Sequence, residues 1–475
     1  MRSVCDTSDL LTKPLILFGV ACLLASPTTL ASDIDWQKTG TEVAQTLSEY
    51  LQVDTVNPPG NELDGAQFLA DKLSADGIAT QIIESSPGRG NLIARLEGTT
   101  DEPALCFLSH IDVAPFEADR WPEGVHPLSG KIEDGWVWGR GALDMKGMGA
   151  VQAMVMQLLA RQKVPLKRDV VMIAVADEEV DNTGVRFLLE NHWEDLRCGD
   201  VINEGGIGIY DLFFEGQTAY SISVGEKGVL WLKMIATGNP GHGSTPRPDE
   251  APERLRIALN KLAERDAPIS FHPSFLEAIA ISGAQQGGFA GWIMQRPFWA
   301  KRLLVKRIAS NPVSKAVLTD TVHLTGLGGA IAPNVVPGET WAILDCRLLP
   351  GTSPDALLNE LIALVDDPHV RFEVLSKEEA AVSPWKDEAV YDALRKHAVD
   401  ALENTVAIPV LSVGFTDSIY FRRLGVRAYG LAPFRVSGDD LATMHGDGER
   451  LHTEELLRGV QILYSVVTEV ASDTQ

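Results

Sequence analysis

The chain reads as an α/β protein: a main domain built on a mostly parallel sheet with helices on both faces, and an inserted domain of ferredoxin-like α+β type. Three observations predict this. Short, wholly apolar runs alternate with helical patterns through the first half, the order then changes to strand-helix-strand-strand-helix-strand, and the first pattern returns near the C-terminus. At 475 residues the chain exceeds one ordinary core, since domains run to about 150 residues.

In chain order, residues 1–31 read as a secretory signal peptide. Arg2 and Lys13 precede an apolar stretch from Leu15 to Ala25, and Thr29-Leu30-Ala31 offers a small-residue cleavage site before Ser32. The apolar stretch falls short of the roughly 20 residues that cross a bilayer. The expectation is an exported protein, periplasmic or secreted, with no stable membrane span after cleavage; a retained anchor is the competing reading.

The main domain's first part covers 32–221. Strands are predicted from Ala104 to Ser109 and from Asp169 to Ala176, and helices from Gly147 to Arg161 and from Val185 to Asn191. Residues 222–378 form the insertion, with strands from Gly228 to Thr237, Val322 to Leu327, Glu339 to Leu349 and Val370 to Leu375, and helices from Ala251 to Arg265 and Pro354 to Val365. An extra segment, about 269–319, carries Phe289, Trp292, Phe298 and Trp299 among basic residues. It suits a membrane-surface or substrate-covering element, but the favoured expectation is a helical insertion packed on its own domain. Residues 379–475 resume the main domain.

Hydrophobic residues make up 45% and charged residues 22% of the chain, as in folded proteins. A formal charge of −24 argues against a nucleic-acid partner, which demands a basic face. Cys5 and Cys22 would leave with the signal. Cys106, Cys198 and Cys346 are an odd set without C-x-x-C spacing, expected as small buried hydrophobes with no disulfide framework.

The chemistry starts at Glu178 and Glu179, which follow the apolar run from Val170 to Ala176 and so emerge at the C-terminal end of a buried parallel strand, where open α/β sheets place ligands. Acids crowded there repel one another unless a cation lies between them. Further donors sit at comparable points. The strand from Ala104 ends in Ser109-His110-Ile111-Asp112, with Asp112 placed to receive the second ring N–H of His110. A glycine-rich turn from Gly139 to Gly147 delivers Asp144 before a helix, Asn203-Glu204-Gly205-Gly206 closes another apolar piece, and His445 lies near the C-terminus. Each is weak alone: H-x-D is commonly a surface pair, and an Asp before a helix is commonly an N-cap. Together His110, Asp144, Glu179, Glu204 and His445 are a mixed nitrogen and oxygen set suited to zinc, or to cobalt or manganese in its place. Five ligands exceed one catalytic zinc's usual three, whereas two ions sharing a carboxylate would use them all.

In this order and with this spacing the motifs resemble the di-zinc peptidase and amidohydrolase family of aminoacylase, acetylornithine deacetylase, succinyl-diaminopimelate desuccinylase, the bacterial glutamate carboxypeptidases and carboxypeptidase S. The resemblance spans essentially the whole mature chain. It implies that His110 and Glu204 hold one zinc, Glu179 and His445 the other, and that Asp144 bridges them. It further implies that Asp112 orients His110 and that Glu178 is the general base. By the same resemblance the inserted domain is a lid and dimerisation domain. His242, in Gly241-His242-Gly243-Ser244, would steady the oxyanion in the partner of a homodimer, and Asn334 and Arg347 would bind the substrate's carbonyl and carboxylate. Thr416, in Gly414-Phe415-Thr416-Asp417-Ser418, would line the same cleft. The activity implied is a zinc-dependent exopeptidase, carboxypeptidase- or dipeptidase-like, acting on peptides. The alternative is an N-acyl-amino-acid deacylase with the same centre, and a more distant one is a non-catalytic binding relative. Acid-Gly-Gly at Glu204 is closer to the carboxypeptidase-type members than the Gly-Glu-Pro of the biosynthetic deacylases.

Overall fold

The computed structural model describes residues 33–473 except 213, 310–314 and 331. The expected signal peptide, with Cys5 and Cys22, lies outside the described residues.

After two helices, Trp36–Leu51 and Glu62–Ser74, the chain forms β1 (Ala79–Ser86), β2 (Arg89–Leu96), β3 (Ala104–His110), the short β4 (Lys131–Glu133) and β5 (Trp136–Trp138), then the helix Lys146–Gln162. Next come β6 (Val170–Val175), the helix Thr183–Asn191, β7 (Cys198–Tyr210) and β8 (Thr218–Glu226). The insertion supplies β9 (Gly228–Thr237), β10 (Gly241–His242), β11 (Thr321–Gly328), β12 (Val335–Val336), β13 (Glu339–Leu348) and β14 (Val370–Glu378). The remainder holds β15 (Ala381–Val382), the helix Ala389–Asp400, β16 (Thr405–Ser412), the helix Ser418–Arg423, β17 (Arg427–Val436), β18 (Arg450–His452) and the helix Thr453–Ala471.

The main sheet runs β1-β2-β6-β3-β7-β17-β8-β15, with β16 also on β8. Its centre is parallel: β3 pairs with β6 and β7, and β7 with β17. Antiparallel pairs form its margins, among them β1 with β2 and β15 with β8. The unbroken apolar runs follow from burial on both faces. Leu105 and Phe107 of β3, with Val170, Met172 and Ala174 of β6, pack under the long helices Lys146–Gln162 and Thr453–Ala471. Cys106 and Leu108, with Val171, Ile173 and Val175, pack on the other side against Val185, Leu188 and Phe421. In this second layer Cys106 and Cys198 form a disulfide, which corrects the expectation of unpaired cysteines; Cys346 is free and buried. Their separation of 92 residues concealed the pair, because spacing identifies only local motifs.

Four of the insertion's strands form an antiparallel sheet, β11-β13-β9-β14, and β10 pairs with β12 apart from it. Leu230, Leu232, Met234, Ala342, Leu344 and Cys346 on one face meet Leu255, Leu357 and Leu361 of the helices Ala251–Ala263 and Pro354–Val365. Trp231, Lys233, Asp345 and Arg347, one register step away, lie on the opposite face. The extra segment departs from expectation. Its first helix, Pro273–Gln286, packs Ala278 and Ile281 on Ala219, Val406 and Ile408 of the main sheet rather than on the small domain. Among the described residues no helix is long and apolar enough to cross a membrane.

Candidate metal centre

Parallel pairing assembles the centre. His110, the last residue of β3, lies in register with Val175, the last of β6, so the turn leaving β6 carries Glu178 and Glu179 past the same sheet edge. Glu204 comes from β7, on the other side of β3. Asp144 arrives on the turn before Lys146–Gln162, and His445 on the loop before β18, with φ of 57°.

The groups pair in a definite way. His110 Nε2 is 3.0 Å from Asp144 Oδ1 and 3.8 Å from Glu204 Oε1. His445 Nε2 is 3.1 Å from Asp144 Oδ2 and 3.2 Å from Glu179 Oε1. Asp144 therefore stands between the imidazoles, one oxygen toward each. His110, Glu178 and Glu204 form one group whose donor atoms lie within 4.8 Å of one another, and His110, Asp144 and Glu179 form a second.

Two imidazoles among Asp112, Asp144, Glu178, Glu179 and Glu204 leave an excess of buried negative charge. Burial, then Glu204, Asp417 and Glu179, hold Glu178 well above the usual carboxylate range; burial and Asp144 do the same for Glu204. Burial pulls His110 toward the neutral form, but Asp112, Asp144 and the nearby glutamates outweigh it and raise its pKa well above the ordinary value. Contacts to Asp144 and Glu179 push His445 up to about 10. Without a cation the cluster thus favours extra protons, the response expected of a donor set built for metal. Glu179 Oε1 is buried and lacks a well-aligned hydrogen bond despite its closeness to His445. These residues fit a pair of divalent ions held by nitrogen and oxygen.

The orienting role of Asp112 takes a different form from the expected one. His110 Nδ1 is 2.9 Å from the Asp112 backbone carbonyl and 3.6 Å from its carboxylate. The carboxylate instead accepts the backbone N–H groups of Glu178 and Glu179, each at 3.1 Å, and the Asn57 amide at 2.8 Å. Asp112 thereby ties the loop after β6 to the end of β3.

The turn bearing Asp144 has its own brace, which sequence reasoning passed over. Glu449, fully buried, accepts Arg140 at 2.7 Å and the backbone N–H groups of Gly141, Leu143 and Asp144 at 3.1, 2.8 and 3.1 Å. Gly141 has φ of 90°, and a Cβ there would fall 2.5 Å from Val113, so only glycine fits. Glu449 lies four residues beyond His445, in His445-Gly446-Asp447-Gly448-Glu449, with no apolar run or helix pattern to mark it. Asn57, joining Asp112 to Asp177, and Arg89, joining Asp177 to Glu62, are further braces with no local sequence signal. Asp417, hydrogen-bonded to Asn182, has its pKa pushed up to about 7 mainly by burial.

His242, Asn334 and Arg347, expected to bind substrate, lie on the inserted domain. His242 is exposed on β10, its Nδ1 2.8 Å from Ser244 Oγ, and none of its hydrogen bonds or ion pairs among the described residues reaches the acidic cluster. Asn334 adjoins it, accepting the Gly243 N–H on its carbonyl. Arg347 bonds Asp345 at 2.8 Å, and its Nη1 is buried without a partner. It lines a cleft of about 650 Å³ together with Lys227, Thr319, Val413 and Gly414. Thr416 is buried, and its hydroxyl donates to Glu226 at 2.7 Å and accepts the Ser418 N–H, while Val413 and Gly414 of the preceding stretch line the cleft beside Arg347.

Comparison with known proteins points the same way. The sequence is similar to human N-fatty-acyl-amino acid synthase/hydrolase PM20D1, 28% identical over 380 residues, 78% of this chain and 74% of that protein. It is similar to mouse aminoacylase-1, 26% identical over 430 residues, 89% of this chain and 94% of that protein. The fold is similar to that of the M20 family metallo-carboxypeptidase Sso-CP2 from Sulfolobus solfataricus, with a TM-score of 0.70, 18% identity, and coverage of 90% and 99% of the two chains. Human carnosine dipeptidase 1 gives a TM-score of 0.65 at 15% identity, covering 91% and 97%. The model of Peptidase family M20/M25/M40 matches residues 106–469, a span that opens inside β3 and takes in every donor of the cluster, and the chain belongs to that family.

Proposed function

We propose that the chain is an exported, zinc-dependent exopeptidase, carboxypeptidase- or dipeptidase-like, that hydrolyses the amide bond before a free carboxylate. The observation that carries this reading is the convergence of His110, Asp144, Glu179, Glu204 and His445, with Glu178 beside them. His110 and Glu204 would hold one zinc, His445 and Glu179 the other, and Asp144 both. Bound zinc supplies Lewis-acid polarisation of the scissile carbonyl and a lowered pKa for the attacking water. Glu178 takes the proton of that water and delivers it to the leaving nitrogen; its raised affinity for protons suits a group that must carry one between two steps. Arg347, which lines that cleft beside Asp345, receives the substrate carboxylate, for which its planar fork is suited. Asn334 holds the carbonyl, and His242 of a second copy steadies the oxyanion, so the working form is a homodimer. The Cys106–Cys198 disulfide supports export, since such bonds persist in oxidising compartments.

A second reading, hydrolysis of N-acyl amino acids, has specific support in the similarity to aminoacylase-1 and PM20D1. Both readings release an amino acid and differ only on the acyl side. A panel of dipeptides and N-acyl amino acids separates them: faster turnover of dipeptides supports the exopeptidase, and faster turnover of acyl amino acids the deacylase. Glu178→Gln tests the mechanism common to both. We expect two zinc ions per chain to be retained while kcat falls by roughly 10²–10⁴-fold; undiminished turnover would remove Glu178 from its role.

A further inference from the structure

The extra segment contrasts with the rest of the chain in charge. Between Glu277 and Asp320 the sequence contains Arg296, Lys301, Arg302, Lys306, Arg307 and Lys315 and no acidic residue, within a protein of formal charge −24. Among the described residues none of Arg296, Lys301 and Arg302 has a carboxylate within ion-pair distance, while most other surface arginines do.

The same stretch leaves large apolar side chains uncovered. Phe289 is 76% exposed and Phe298 67%, with Leu303, Trp292 and Trp299 also exposed. They lie on two consecutive short helices, Gly288–Met294 and Pro297–Ala309, beyond the helix that anchors the segment to the main sheet. The aromatics are ordered against one another: Phe289 stacks on Trp292 at 6.0 Å, Phe298 meets Trp299 edge-on at 5.3 Å, and the Arg296 guanidinium sits 4.0 Å from the Trp292 ring. Tryptophan and phenylalanine interleaved with basic residues are the composition of segments that lie in the headgroup layer of a bilayer.

We propose that residues 287–303 dock this protein on an anionic lipid bilayer, with the aromatics entering the interface and the basic residues facing the headgroups. Charge complementarity selects this occupant. A second copy would bring the same unpaired cations against themselves, and a protein this acidic would be repelled by anionic lipid unless a local basic patch reversed the field. The contact is peripheral, since neither helix is long enough to span. The amide-hydrolysing centre would then work at a membrane surface.

The test is co-sedimentation of the full chain with vesicles of phosphatidylglycerol and phosphatidylcholine, against phosphatidylcholine alone, at low and high salt. Wild type and variants carry the same N-terminus, so any contribution from residues 1–31 cancels. We expect binding to the anionic vesicles that weakens with salt. The combined variant Arg296→Gln, Lys301→Gln, Arg302→Gln should bind roughly a hundredfold more weakly. Phe289→Ser with Phe298→Ser should lose binding and the blue shift of tryptophan fluorescence that vesicles induce. Both variants should keep the wild-type kcat on a soluble substrate, which shows that they fold. Equal binding of wild type and both variants, binding indifferent to lipid charge, or a wild-type dimer that the serine variant dissociates with no vesicle binding by either would overturn the proposal.

Discussion

The acidic cluster and the inserted domain's residues that we propose bind substrate are built on opposite terms. Around the cluster, Glu178, Glu179 and Asp144 sit on turns whose backbone is pinned by a buried acid: Asp112 holds the Glu178–Glu179 loop, and Glu449 the Asp144 turn. On the insertion, His242 is exposed and out of contact with the cluster, and Arg347 keeps a buried nitrogen unpartnered. The first region gathers its donors within one chain; the second holds its polar groups on local partners, Ser244 for His242 and Asp345 for Arg347. Preorganisation fixes where charge will be stabilised, and on the proposed reading a substrate and a second copy would finish the site.

The sharpest way to break this contrast is complementation. His242→Ala should lower kcat by roughly a hundredfold, the usual cost of one oxyanion donor, about 3 kcal/mol. If the histidine serves the neighbouring copy, mixing His242→Ala with Glu178→Gln restores activity, because one mixed site pairs an intact Glu178 with an intact His242. Steady-state rates of the mixture against each variant decide it: no recovery in a mixture proven to exchange subunits places His242 within its own chain or outside the reaction.

The contrast also explains what the sequence made legible. His110, Asp144, Glu179 and Glu204 announce themselves because each follows an apolar run or a glycine turn, local features that fix where a strand or turn ends; His445 has no such signal. The small domain's strands and helices, such as Gly228–Thr237 and Pro354–Val365, were equally readable from period and breakers. Braces were not. Glu449 reaches across roughly 300 residues to Arg140, and Asn57 crosses 120 to Asp177, contacts that exist only once the parallel sheet is assembled. The Cys106–Cys198 bond was hidden for the same reason, as was the bond from the Thr416 hydroxyl to Glu226, 190 residues away in sequence.

Glu449→Gln probes the brace. It leaves Arg140 buried without its anion and weakens the charge-assisted bonds that hold the Asp144 turn. Zinc affinity, measured by competition with a chromophoric chelator, should fall by about 10–100-fold, as for other groups that position metal ligands. Affinity unchanged, with only a lower Tm, would make Glu449 a packing residue and remove half of the contrast.

The smallest effect concerns pH and a buried acid outside the donor set. Glu62 is buried 2.8 Å from Arg89, and burial followed by the charge of Asp112 raises its pKa to about 7. The folded chain therefore keeps a proton that the unfolded chain releases near the ordinary value of 4.5. Native stability from this group is full below 4.5 and is lost as pH rises through 7. Glu62→Gln cannot lose that proton. In metal-free protein, its denaturation free energy relative to wild type should improve by about 2 kcal/mol between pH 4.5 and pH 8. Parallel curves for the two proteins would mean that Arg89 neutralises Glu62 outright, and that the cluster's surplus negative charge ends at Asp112 instead of reaching one layer deeper into the fold.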